Sequence, residues 1–316
     1  MEKIIFKSYN DLVEDIRKNI HKISEQNFDL IVGIPRSGMI PAYLISAYLN
    51  IDCTDVDSYI NNHELQRGQT RTTKGKLKYP QDAKNIILVD DSVYSGASLD
   101  VILKKIPIQF HQKITTLAIY SSSKTKTNLF FEFLNGKKLF EWGIFHNNMI
   151  NKTCIDIDGV ICRDPILEEN DDGEKYLNFI KTAEALFLPT GKIYALVSNR
   201  LEKYRTETEQ WLKNHNVEYE NLILLNLKNK EERLKIDCGI EHKGKYYKNC
   251  EAEFFIESSY NQSLTIAQTS GKPVYCVSKN MYIEPDLAAK LLNNPKRLIN
   301  IYWTKIKHLI KIWING

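Results

Sequence analysis

Nowhere does this chain approach the roughly 18 uninterrupted apolar residues of a membrane-spanning helix, so no integral membrane protein is expected. Cysteines are few, six in all, at 53, 154, 162, 238, 250 and 276. None has the paired spacing of a zinc site, and several lie in apolar stretches. Reduced, mostly buried thiols in a cytoplasmic protein are the expectation. Neither sign of charge is in large excess: 43 Lys and Arg against 39 Asp and Glu leave +4, too little to point to nucleic acid. The start, Met1-Glu2-Lys3-Ile4-Ile5-Phe6-Lys7, is not that of a secretory signal. Internal repeats and low-complexity tracts are lacking as well. What remains is a globular composition, 43% hydrophobic and 26% charged, over 316 residues, enough for two domains.

The most informative stretch is Ile86–Ser98 (Ile-Ile-Leu-Val-Asp-Asp-Ser-Val-Tyr-Ser-Gly-Ala-Ser). Four apolar residues read as a buried strand ending at Asp90 and Asp91. A Ser/Gly turn, Ser92-Val93-Tyr94-Ser95-Gly96, then opens a helix over Ala97–Lys105 that includes Ser98. Such a turn aims backbone N–H groups and the Ser95 and Ser98 hydroxyls at a phosphate at a helix N-terminus. Two adjacent carboxylates suit the two hydroxyls of a ribose. The segment resembles the motif that binds 5-phosphoribosyl 1-pyrophosphate (PRPP) in type I phosphoribosyltransferases. That resemblance implies PRPP as donor, bound by Asp90 through Ser98. Upstream, Phe28–Ile34 reads as a buried strand, followed by Pro35-Arg36-Ser37-Gly38 and a helix near Ile40–Leu49. Arg36, Ser37 and Gly38 match the family's pyrophosphate loop. The polar, basic segment Asn61–Tyr79 occupies the place of the family's mobile hood, with Arg67 and Arg71 as its pyrophosphate contacts.

A second signature begins at Cys154-Ile155-Asp156-Ile157-Asp158-Gly159-Val160-Ile161, a strand followed by two acids one residue apart. This arrangement suits a nucleophilic Asp156 with Asp158 as acid/base partner. Three pieces follow in order: the strand Tyr194-Ala195-Leu196-Val197-Ser198, Lys243 within His242-Lys243-Gly244-Lys245, and the strand Phe254-Phe255-Ile256-Glu257. Together they resemble the four motifs of the haloacid dehalogenase phosphatases, over residues 152–278. The resemblance implies Asp156, Asp158, Ser198 and Lys243 as catalytic residues. It places Mg2+ on Asp156, Asp158 (through its carbonyl) and Glu257. Ser258 stands where a second acid is common. Only a short acidic segment and one helix around Tyr176–Leu186 separate Asp158 from Ser198, so little cap is expected and an open site.

The predicted architecture is α/β: two open Rossmann-like domains, a type I phosphoribosyltransferase fold over 1–148 and a haloacid dehalogenase-like fold over 152–280. A basic amphipathic tail, 281–316, has apolar residues at helical spacing over Leu298–Ile314. It suits docking on its own domain, a homodimer, or peripheral contact with the inner face of the cytoplasmic membrane. The pairing, with Phe140-Glu141-Trp142 and Asp164-Pro165, resembles the dual-domain ribofuranosyltransferases of bacterial surface-polysaccharide (O antigen) assembly. That family implies transfer of 5-phosphoribose to a hydroxyl of a glycan acceptor, lipid-linked in its cellular form, followed by removal of the 5-phosphate. The β-ribofuranose product follows from inversion at the anomeric carbon. The alternatives are a nucleobase phosphoribosyltransferase coupled to a nucleotidase, and a non-enzymatic PRPP sensor. Tyr94 replaces an aspartate that serves purine enzymes as base. The base for a sugar hydroxyl is not identified, with Asp55, Asp57, His63 and Glu64 as candidates.

Overall fold

The computed structural model describes residues 3–67, 77–229, 232 and 238–293. Arg71 of the expected hood and the Leu298–Ile314 tail lie outside the described residues. The chain forms two compact units, Met1–Ile144 and Phe145–Gly316. The division falls a little upstream of the expected 148. Among the described residues no helix is long and apolar enough to cross a membrane.

In the first unit, β1 (Ile4–Lys7) leads into α1 (Tyr9–Asn19), which a capping box between Ser8 and Asp11 starts. A single helix is expected over Tyr9–Glu25, but the chain divides at Ile20 into α1 and α2 (His21–Ser24). At the division the Asn19 side chain donates to the Asp15 carbonyl at 2.9 Å, competing with the backbone ladder. Next come β2 (Leu30–Gly33), α3 (Met39–Leu49), β3 (Asp52–Asp55), α4 (Val56–Ile60), β4 (Ile86–Val93), α5 (Ala97–Lys105), β5 (Ile114–Ser121), β6 (Leu129–Phe133) and β7 (Lys137–Phe140). The main sheet is parallel in the order β3-β2-β4-β5-β6, and β1 pairs with β7 apart from it. Apolar clusters cover both of its faces, Leu12, Ile31, Ile87 and Val89 in one and Leu30, Val32, Leu88 and Leu99 in the other. Burial on two faces explains the unbroken apolar runs.

The topology reverses between β2 and β4: α3 carries the chain outward to β3, and α5 carries it the other way to β5. Open α/β sheets bind ligands at such a point, beyond the strand C-termini. The sequence puts the end of β4 at the acids, but the strand runs on to Val93. Asp90 and Ser92 still pair with Ala118 and Tyr120 of β5. Pairing with β2 stops at Gly33 and Val89, so the two acids border an opening on one side only.

The second unit repeats this logic. Its strands are β8 (Thr153–Ile155), β9 (Ile193–Leu201), β10 (Tyr219–Leu225), β11 (Phe254–Glu257), β12 (Val274–Cys276) and β13 (Met281–Ile283), in the order β10-β9-β8-β11-β12-β13. All pairings are parallel except β12 with β13. The helices are α6 (Glu174–Thr182), α7 (Arg205–Asn214), α8 (Cys238–Asn249), α9 (Tyr260–Ser270) and α10 (Pro285–Asn293). Order reverses between β8 and β11. The helix expected over Tyr176–Leu186 ends at Thr182, because the following backbone bonds elsewhere: Leu186 N to Ile161 O at 2.9 Å and Phe187 N to Val160 O at 3.2 Å.

Candidate functional site

At the opening of the first sheet Asp91 is held on both carboxylate oxygens. Ser37 Oγ donates to Oδ1 at 2.9 Å, and Trp142 Nε1 donates to Oδ2 at 2.6 Å. The Pro35-Arg36-Ser37-Gly38 loop and the acid pair thus meet directly. Gly38 makes the approach possible: a Cβ there would lie 2.6 Å from Ile34 O and 2.8 Å from Val89 O. Asp90 Oδ1 accepts from the Asp91 amide at 2.9 Å. Burial, and then the neighbouring Asp91 charge, pushes the Asp90 carboxyl up to about 8.

The segment Ser92–Ser98, from the end of β4 to the first turn of α5, follows this pair, with Val93 buried and Tyr94 72% exposed. Gly96 precedes α5 with φ +84°, a conformation glycine adopts at little cost, and frees the first amides of the helix for a ligand. Ser95 Oγ accepts from Ala97 N at 3.4 Å. Lys138 of β7 donates to Ser92 Oγ at 3.0 Å and to Val93 O at 3.3 Å. Burial lowers its ammonium pKa, against the opposing pull of Asp91 and Asp90.

Arg67 departs from expectation. It makes a two-pronged pair with Asp52, Nε to Oδ1 at 2.8 Å and Nη2 to Oδ2 at 2.5 Å, and also donates to the Leu77 carbonyl. Asp52 opens β3 opposite Leu30, so this pair sits at the N-terminal edge of the sheet. Level with Leu30 on β4 is Ile86, four residues or about 13 Å before Asp90, so the pair is well removed from the acids. A buried carboxylate that would otherwise lack a partner accounts for the capture. Among the base candidates, Asp55 ends β3 but caps α4, accepting from Ser58 N at 2.9 Å and Oγ at 2.7 Å. Burial raises its pKa, but those bonds outweigh burial and hold it below the ordinary carboxylate value. Asp57 follows within α4, and His63 and Glu64 lie beyond its end.

In the second unit, Lys243 is buried and bridges two carboxylates, donating to Asp156 Oδ2 at 2.7 Å and Glu257 Oε2 at 2.8 Å. Asp156 follows β8 and Glu257 ends β11, so the bridge spans the reversal point. Burial and the Glu257 charge push the Asp156 carboxyl well above its ordinary value, against the pull of Lys243. Ser198 is fully buried on β9, and its Oγ accepts from Arg200 N at 3.2 Å. Gly159 turns with φ +77° beneath Ser258, whose hydroxyl donates to the Asp158 carbonyl at 3.3 Å.

The Asp158 side chain is turned onto Arg200, with Nη2 donating to Oδ1 at 2.7 Å and Nε reaching Oδ1 at 3.2 Å. Among the described residues no three His, Cys, Asp or Glu side chains stand together at metal-holding distances. What the site offers a hard divalent ion is two carboxylates, the Asp158 carbonyl and an excess of buried negative charge. Oxygen donors of this kind fit Mg2+.

Four contributors escaped the sequence reading. In the sequence Trp142 stands only within a matching tripeptide and Lys138 carries no signal; the fold brings Trp142 to Asp91 across 51 residues and Lys138 to Ser92 across 46. Arg200, fully buried, lies two positions after Ser198, so strand alternation would have placed both on one face. Burial, with Asp158 and Glu257 nearby, raises the pKa of Asp164, which lies 2.7 Å from where a Gly159 Cβ would be.

Residues 6–142 match the phosphoribosyl transferase domain family. Xanthine-guanine phosphoribosyltransferases are similar to part of the chain. The protein from Chromohalobacter salexigens is 31% identical over 100 residues, 32% of this chain and 60% of that protein. The one from Idiomarina loihiensis is 27% identical over 106 residues, covering 32% and 64%. The chain thus spans less than two thirds of the length of these relatives. A purine phosphoribosyltransferase structure from Pyrococcus horikoshii aligns at 19% identity with a TM-score of 0.32, over 44% of this chain and 93% of that one. The first unit has the type I phosphoribosyltransferase fold, over the residues 6–142 that match this domain family.

Proposed function

We propose that the protein is a two-step ribofuranosyltransferase: the first unit transfers 5-phosphoribose from PRPP to a glycan hydroxyl, and the second removes the 5-phosphate. The observation that carries this reading is the Lys243 bridge between Asp156 and Glu257, at the reversal point of a second sheet in a chain whose first unit is a phosphoribosyltransferase domain. Transfer to a base requires no such second site, and neither does PRPP sensing.

In the first step Asp90 and Asp91 accept bonds from the two ribose hydroxyls. The amides and hydroxyls of Ser92–Ser98 hold the 5-phosphate, and the Arg36–Gly38 loop holds the departing pyrophosphate. Attack from the face opposite the pyrophosphate inverts the anomeric carbon and gives a β-linkage. In the second step Asp156 attacks phosphorus while Asp158 protonates the leaving sugar oxygen, and Asp158 then activates the water that releases phosphate. Ser198 and Lys243 neutralise the phosphoryl oxygens. Magnesium, held by Asp156, Glu257 and the Asp158 carbonyl, supplies charge neutralisation at the phosphoryl group when bound.

One observation favours a second reading. The relatives are named xanthine-guanine phosphoribosyltransferases, so the first unit would then use a purine base and the second a nucleotide. Against it, Tyr94 offers no carboxylate to deprotonate a purine. Product masses from PRPP, Mg2+ and a panel of nucleobases and polysaccharide fragments decide between them, using Asp156→Asn to retain the intermediate. A phosphoribosyl adduct on a glycan fragment is expected. A nucleotide formed from a base alone would replace this reading with salvage.

A further inference from the structure

Two thiols that the proposed chemistry does not use stand side by side in the second unit. Cys154, in the middle of β8, is fully buried, and its Sγ lies 3.9 Å from Sγ of Cys250. Cys250 directly follows α8 and is only partly buried. A disulfide needs about 2.05 Å between sulfurs, so the gap closes by a shift of about 2 Å. That shift falls on Cys250, because Cys154 is fixed in a strand paired with β9 and β11 on its two sides.

The surroundings of the two sulfurs differ. Lys272 donates three bonds around the end of α8, to the carbonyls of Tyr247 at 2.9 Å, Cys250 at 2.7 Å and Ala252 at 2.9 Å. A fixed ammonium therefore stands next to Cys250, and the Cys154 thiol is placed to donate to its sulfur. The Cys154 bond, with the Ala252 backbone and the Lys272 charge behind it, outweighs burial and brings the Cys250 pKa down to about 6. A partly exposed cysteine whose sulfur lies 3.9 Å from that of a buried one is the arrangement of an attacking and a resolving cysteine.

We infer that Cys154 and Cys250 are a peroxide-oxidisable pair that closes to an intramolecular disulfide. The Cys250 thiolate attacks one oxygen of hydrogen peroxide, giving a sulfenic acid and releasing hydroxide. The Cys154 thiol then attacks the sulfenic sulfur. Its proton leaves with the displaced hydroxyl as water, and the S–S bond forms. Overall two thiols lose two hydrogens and one peroxide becomes two waters. The bond ties β8, two residues ahead of Asp156, to the end of α8, the helix that carries Lys243.

The test treats the folded full-length protein with hydrogen peroxide, blocks remaining thiols before unfolding, and maps the digest by mass spectrometry without reductant. The expected result is a linked pair of peptides containing Cys154 and Cys250, lost on adding dithiothreitol. In Cys154→Ser the sulfenic acid persists at Cys250 and is captured by dimedone; in Cys250→Ser neither the link nor the capture occurs. Thermal melts confirm that both variants are folded. Blocked thiols at both positions after peroxide, or links to other cysteines in place of this one, would overturn the inference.

Discussion

Asp91 draws its two partners from opposite ends of the first unit, Ser37 on the loop after β2 and Trp142 after β7. The indole donates to a carboxyl oxygen, and hydrogen bonds to charged groups contribute about 1.5–3 kcal/mol. Trp142→Phe keeps the ring and removes the donor, so PRPP affinity by titration calorimetry with Mg2+ is expected to fall about tenfold; unchanged affinity would mean that Trp142 does not orient the acid. Asp90 makes a pH prediction. Its carboxyl keeps a proton up to about pH 8 in the folded chain, through burial and the Asp91 charge, whereas an unfolded aspartate loses it near pH 4. Across that window the native state binds more protons, so this group's contribution to stability is present at low pH and is lost as pH rises towards 8. Asp90→Asn avoids the loss. The urea midpoint of the variant relative to the native protein should therefore rise between pH 5 and pH 9, and a constant difference would refute the assignment. The acid pair itself was legible, because adjacent carboxylates before a Ser/Gly turn are a local pattern. Trp142 and Lys138 were not, since only the fold brings them across 51 and 46 residues to Asp91 and Ser92.

At the scale of elements, the strand and helix order of both units followed from apolar runs and turn residues, because buried parallel strands leave a strong signature. What periodicity did not show was where pairing continues. β4 runs past its acids since β5 still offers partners, and α6 stops early since the next residues bond to Val160 and Ile161. Arg67 shows a similar limit: its position in a basic loop suggested pyrophosphate, but Asp52 presents a buried carboxylate within reach. Tight turns are where one atom decides an element's course. At Gly159 a Cβ would meet Ser258 Oγ at 2.5 Å with φ at +77°. Gly159→Ala is expected to destabilise the protein by about 1–3 kcal/mol. Gly143→Ala, where a Cβ meets nothing within 4 Å, should be close to neutral. Equal melting temperatures for the two variants would show that the Gly159 turn is not constrained.

For the whole molecule, each of the two larger sheets reverses its strand order once within the described residues, and each reversal point gathers the groups that the proposal assigns to one reaction. Asp90, Asp91 and Ser37 meet at the first, and Asp156, Lys243 and Glu257 at the second. Hydrogen bonds and ion pairs described for each set stay within its own unit, which makes the two half-reactions separable by substitution. Asp91→Ala should abolish phosphoribosyl transfer from PRPP while leaving phosphate release from a supplied phosphoribosylated glycan near its native rate. Asp156→Asn should do the reverse, reducing phosphate release by about 10³-fold or more while pyrophosphate release continues. Mixing the two variants should then restore the dephosphorylated product, because each supplies the step the other lacks and the phosphorylated glycan can pass through solution. Pyrophosphate and phosphate assays on each variant, and product mass on the mixture, read all three outcomes. If Asp156→Asn also stopped pyrophosphate release, or if the mixture left the 5-phosphate in place, the assignment of one step to each sheet would fail.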